Sequence, residues 1–164
     1  MLIAQITDTH LGFDPDNPTE FNRKRLDQLI RLVGSLSVKP DLLIATGDLV
    51  DRGDSASYAR LQNALSLCPV PICAIPGNHD DRANFINCFP DAQTADGFVQ
   101  YERQIGGLRL LFLDTLEPGR HGGAYCETRA RWLRDRLSEA PEMPTVIIMH
   151  HPPVDVGIDW MSTH

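Results

Sequence analysis

Four short stretches of the chain gather carboxylates, imidazoles and an amide: Asp8-Thr-His10, Gly47-Asp48, Gly77-Asn78-His79-Asp80 and His150-His151. Oxygen and imidazole donors without thiolate suit a divalent Mn, Fe, Co or Zn ion better than an iron–sulfur cluster. On an extended segment, Asp-x-His puts both side chains on one side, so Asp8 and His10 are expected to grip a single ion with Thr9 turned away. The glycines before Asp48 and Asn78 permit sharp turns and a close backbone approach to a crowded site. A carboxylate such as Asp48 can bridge two ions. Any one of these stretches alone reads as a cap or turn, whereas their conjunction reads as a metal site.

Each stretch follows a short apolar run, at 2–6, Leu42–Thr46, Ile72–Ile75 and 145–149, and the four runs read as buried strands. Between the first two, Leu26, Leu29, Ile30, Val33 and Leu36 recur at helical spacing, and Pro40 closes that helix. A second helix over 55–67 leads through Pro69 and Pro71 into the third strand. This alternation is that of an α/β fold. All four polar stretches then sit at carboxyl ends of strands, where open α/β sheets form their ligand crevice. Residues 98–105 and 108–114 flank Gly106-Gly107, the composition of a hairpin turn, and a helix over 128–137 returns the chain to the last strand.

The 164 residues are sized for one domain, 1–164. Lys+Arg 15 against Asp+Glu 22 gives a net charge of −7, with no basic cluster to grip duplex nucleic acid. No apolar run approaches the ~18 residues of a membrane span, and the first residues lack a basic, then apolar, leader, so a cytoplasmic location and no membrane partner are expected. Cys68, Cys73, Cys88 and Cys126 form no C-x-x-C pair and read as reduced, mostly packed thiols. Residues 14–18 hint at a calcium loop, but Pro18 and Arg25 occupy ligand positions, and the segment reads as a solvated loop. His121 reads as a turn residue and His164 as a frayed terminus.

Asp8-Thr-His10, Gly47-Asp-Leu-Val-Asp51, Gly77-Asn-His-Asp80 and His150-His-Pro-Pro153 together resemble the calcineurin-like metallophosphoesterase superfamily. Within it, the chain is most similar to the bacterial class III cyclic-nucleotide phosphodiesterases and related glycerophosphodiesterases. The resemblance implies a four-layer α-β-β-α sandwich whose second sheet is incomplete in this chain. It implies two divalent ions, with Asp8 and His10 on the first, Asp48 bridging, and Asn78 and His150 on the second. The implied reaction is hydrolysis of a small phosphodiester, a cyclic nucleotide such as 3',5'-cAMP or a glycerophosphodiester, with hydroxide held by the ions as nucleophile. His79 would be the catalytic histidine beside the leaving group, with Asp51 placed to orient it. His151 would support the site or reach substrate. A phosphomonoesterase or protein phosphatase is the neighbouring reading, and a metal-binding but catalytically impaired fragment is the alternative from a different class. The superfamily pattern closes with a Gly-His-x-His segment that residues 154–164 do not contain. The chain is therefore expected to be truncated at its C-terminus, with an open sheet edge that favours a homo-oligomer.

Overall fold

The computed structural model describes residues 1–92 and 95–158. The first half alternates β1 (Ile3–Ile6), α1 (Phe21–Ser35), β2 (Leu42–Thr46), α2 (Ser55–Leu65), β3 (Ile72–Ile75) and α3 (Arg82–Cys88). The second half runs β4 (Tyr101–Ile105), β5 (Leu108–Phe112), α4 (Glu127–Glu139) and β6 (Thr145–Ile148). Parallel strands in the order β1-β2-β3 make one sheet, and β4-β5-β6 make the other, its hairpin antiparallel and its last pair parallel.

Local chemistry accounts for the elements. Leu26, Ile30 and Val33 form the buried stripe of α1. The Asp54 carboxylate caps α2 by accepting from Ser57 N at 2.7 Å, and Tyr58, Leu61 and Leu65 face inward. Gly106 and Gly107 both take positive φ, 54° and 84°, as a tight hairpin requires. One helix has no counterpart among the expected elements: α3, seven residues capped by Asp81 and burying only Phe85. A helix of two turns with one buried residue carries no period to detect.

The two sheets face one another across a shared apolar cluster that joins Leu43 and Ile75 to Leu110, Phe112 and Ile148. Tyr101 stacks on Phe112 at 4.6 Å, and its hydroxyl donates to Ala74 O at 2.7 Å and accepts from Ala74 N at 3.0 Å, closing the edge of β3. Buried stripes of α1 and α2 join the same cluster. On the other side, buried Arg109 of β5 donates to Arg136 O at 2.7 Å and Ala140 O at 3.2 Å, satisfying carbonyls at the end of α4. Two small sheets with helices against both are the mixed α/β architecture expected of the sandwich.

Two expectations change. Every residue of β2 is buried, but β1 is only partly buried and Val146 and Ile147 of β6 are 44% and 41% exposed; among the described residues both are outer strands of their sheets. Cys126 is exposed at the start of α4, while the other three thiols are half-buried. Residues 14–18 are a largely exposed loop as expected, tied at its start by the buried Glu20 carboxylate, which accepts from the amides of Gly12 and Asp14. His164 lies outside the described residues. Among those described, no helix is long and apolar enough to cross a membrane.

Candidate metal centre

The chain does not stay extended after β1. Asp8, His10 and Asp48 have φ of 53°, 40° and 50°, the left-handed region that side chains other than glycine rarely adopt. Period-two geometry therefore does not bring Asp8 and His10 together. Instead, the loop after β1 zips onto the loop after β2 through Asp8 N to Gly47 O and His10 N to Asp48 O, both 3.0 Å, and Leu11 N to Leu49 O, 3.1 Å. Thr9 turns aside and donates to Leu49 O at 2.7 Å. Each such backbone state costs of order 1–3 kcal/mol and persists because the loop-to-loop bonds hold it.

Two glycines leave the room this requires. A Cβ on Gly47 would stand 2.5 Å from His150 Nδ1 and 2.9 Å from the Gly77 Cα. One on Gly77 would stand 2.8 Å from His150 Nε2 and run into Asp48. Ends of β2, β3 and β6 thus meet at contact distance, although β6 belongs to the other sheet.

Two trios of possible ligands share Asp48: His10 with Asp48 and His79, and Asp8 with Asp48 and His150, the donor atoms of each lying within 4.8 Å of one another. The buried Asp48 carboxylate divides its oxygens, Oδ2 lying 3.7 Å from His10 Nε2 and Oδ1 3.5 Å from His150 Nε2. Each imidazole is held from behind. His150 Nδ1 donates to Thr46 O at 2.7 Å, His79 Nδ1 donates to Asp51 O at 2.8 Å, and His10 Nδ1 lies 3.5 Å from the Asp51 carboxylate. A proton fixed on Nδ1 leaves Nε2 as the lone pair for an ion, the arrangement by which outer groups orient metal-binding histidines. This donor set, carboxylates and imidazoles around one shared carboxylate, fits a pair of divalent ions.

The electrostatics follow from the same contacts. His10 holds the Asp8 carboxyl below its ordinary range, and Asp8 in turn raises His10. Burial pushes Asp48 up, but bonds from His150 and the His79 amide outweigh it and the carboxyl stays ionised lower than usual. Burial likewise depresses His150, and Asp48 overcomes it, leaving the imidazole raised.

Asp51 reaches His79 through its backbone carbonyl, while its carboxylate lies nearer His10, 3.5 Å, than His79, 3.9 Å. Asn78 lines a cavity of about 330 Å³ beside the trios, together with Asp51, Arg52, His79, Arg120 and His121. His121 is thus a wall residue as well as a turn residue, its ring 6.3 Å from that of His79. The sequence reading assigned no role to Asp80. Its buried carboxylate accepts from Gly77 N at 2.8 Å, Leu49 N at 3.3 Å and Tyr58 Oη at 2.7 Å, binding the ends of β2 and β3 together, and burial raises its pKa. The signal was its place closing Gly-Asn-His-Asp. A larger cavity of about 380 Å³, between Ile72 and Arg103, contains none of the trio residues.

A sandwich of two sheets with this centre at the strand ends defines the class, and the profile of the calcineurin-like phosphoesterase family matches residues 1–164: the chain belongs to that family. It is 31% identical over 167 residues to a probable glycerophosphodiester phosphodiesterase of Arcobacter nitrofigilis, a match covering 99% of this chain and 61% of that protein. It is 29% identical to the cAMP/cGMP dual specificity phosphodiesterase of Mycobacterium tuberculosis, covering 99% of the chain and 53% of that protein. To the 3',5'-cyclic adenosine monophosphate phosphodiesterase of Escherichia coli it is 29% identical, covering 99% of the chain and 59% of that protein. The chain therefore spans a little over half the length of these curated relatives.

Proposed function

We propose that this chain carries the metal-binding half of a phosphodiesterase that hydrolyses small diesters, a cyclic nucleotide or a glycerophosphodiester. The observation that carries the reading is the divided carboxylate of Asp48, with one oxygen toward each of two histidines on opposite sheets. The names of its relatives, glycerophosphodiester and cyclic-nucleotide phosphodiesterases, support the diester class.

Asp8 and His10, 3.8 Å apart, would hold the first ion, Asp48 both, and Asn78 and His150 the second, with Asp8 also near His150 and His79 beside His10. When bound, divalent ions neutralise phosphoryl oxygens and lower the pKa of water. The chain's own part is positioning and proton transfer. His79 donates Nδ1–H to Asp51 O, so in its protonated form Nε2–H is the proton available to a departing alkoxide beside the cavity. Asp51 steadies both histidines, His79 with its carbonyl and His10 with its carboxylate.

Hydrolysis of bis(p-nitrophenyl) phosphate with and without Mn²⁺, alongside metal content, tests this. Expected is turnover that requires metal, with His79→Ala keeping its metal but losing roughly 10²-fold or more in rate. Loss of metal together with rate in His79→Ala would make His79 a ligand. Turnover indifferent to metal would overturn the reading.

A further inference from the structure

The turn 117–123, which carries Arg120 and His121 into the cavity wall, is anchored at its base, where Ala124 N also donates to Thr115 O at 3.0 Å. There, fully buried Asp114 accepts from Arg82 at 2.6 and 3.0 Å and from the amides of Val99 and Leu116, and Arg129 donates to Asp114 O at 3.0 Å. Among the described residues, the hydrogen bond that reaches 120–123 from outside the turn is that of His151, whose Nε2 donates to His121 O at 3.1 Å. The other ring nitrogen, Nδ1, accepts from the Thr115 hydroxyl at 2.7 Å. Gly123 lies against the same ring, where a Cβ would be 2.6 Å from His151 Cγ.

Both nitrogens of His151 are therefore engaged, Nε2 on the turn and Nδ1 on Thr115 at its base, in one neutral tautomer, and none is left for an ion or a substrate. Its neighbour His150 does the reverse, presenting Nε2 to Asp48. The two rings stand edge to face at 4.8 Å, so one strand end addresses the centre with one side chain and the cavity wall with the next.

We propose that His151, with Thr115, is a positioning residue that clamps the turn 117–123 over the proposed centre, so that Arg120 and His121 face the alcohol half of the diester. This rests on the diester reading for what the turn binds, but not for the clamp itself.

Limited trypsin cleavage at the Arg120–His121 bond, in protein free of metal, reads the clamp without activity. Loss of one such bond raises the open population about tenfold, so His151→Ala is expected to speed cleavage there about tenfold while cleavage at Arg134 in α4 stays at the parent rate. His151→Gln, whose amide can still donate to His121 O, is expected to remain near the parent. Thr115→Val should behave like His151→Ala. His121→Ala, which keeps the carbonyl, should cleave like the parent. In the metal-loaded protein, His151→Ala should raise KM for a small diester more than it lowers kcat, and adding His121→Ala should cost little further. Unchanged cleavage in both His151→Ala and Thr115→Val would overturn the clamp. So would equal acceleration at Arg134, which signals general unfolding. If the parent turns over no diester, the functional reading falls and the cleavage experiment still decides the clamp.

Discussion

The two sheets divide the labour unequally. The first ends in Asp8, His10 and Asp48, all at positive φ, locked by backbone bonds between loops and by the buried Asp80 carboxylate behind them. The second contributes His150 and His151 from the end of β6, a strand with two exposed apolar side chains and, among the described residues, a neighbour on one side only. Of the three donors after the first sheet, held by strained loops, Asp48 alone is buried, whereas β6 delivers the more deeply set His150 from the other sheet. Position within a site therefore does not depend on the depth of the strand that carries it, since His150 is fixed by Thr46 O of the opposite sheet and not by its own.

The largest test of that asymmetry is Asp48→Asn. Removing the charge shared by both trios should abolish metal binding at each together, exceeding the roughly 10–100-fold cost of losing a supporting residue. Isothermal titration with Mn²⁺ measures it; loss of one site with the other intact would show that Asp48 is not shared. Next in size is Asp80→Ala, which leaves two buried amides and a tyrosine hydroxyl without an acceptor and should cost about 3 kcal/mol in urea unfolding. Asp80→Asn should stay within about 1 kcal/mol, its amide oxygen accepting the two amides and its NH₂ donating to Tyr58. Equal losses in both variants would show that the charge, not the bonding pattern, ties β2 to β3.

How much of this could be read in the sequence depended on whether a feature has a period or a neighbour in the chain. The strand ends of β2 and β3 were legible because continuous apolar runs stop at polar residues, and the convergence followed from the α/β alternation. The left-handed backbone at Asp8 and His10 was not, since nothing in Asp-x-His distinguishes an extended from a coiled segment. Asp80 went unassigned because its partners, Leu49 and Tyr58, are fixed by tertiary packing. Arg52 and Arg120 escaped because two exposed arginines 68 positions apart give no local sign that they line one cavity.

A smaller effect separates the metal-free protein from the loaded one. His10 and His150 have raised pKa values, through Asp8 and Asp48 respectively. A histidine raised in the folded state contributes stability that is complete below its unfolded value near 6.5 and lost as pH climbs through the folded one. An ion needs the unprotonated ring, so metal affinity moves oppositely and rises across the same window. Melting with chelator should therefore weaken as pH rises above about 6.5, while the gain on adding Mn²⁺ grows. Parallel profiles would mean that the histidines do not face an ion.

The smallest expected effect falls on the edge strand. Ile147 is paired in register with fully buried Leu111, yet is itself 41% exposed. If β6 is bare in solution, Ile147→Thr should change unfolding free energy by less than about 0.5 kcal/mol at any protein concentration, as surface substitutions do. If a second copy covers the edge, the loss should instead grow with concentration, because the parent alone gains from association. Urea unfolding at two concentrations, with sedimentation of the parent, distinguishes the cases. A concentration-dependent loss would place β6 among the buried strands after all.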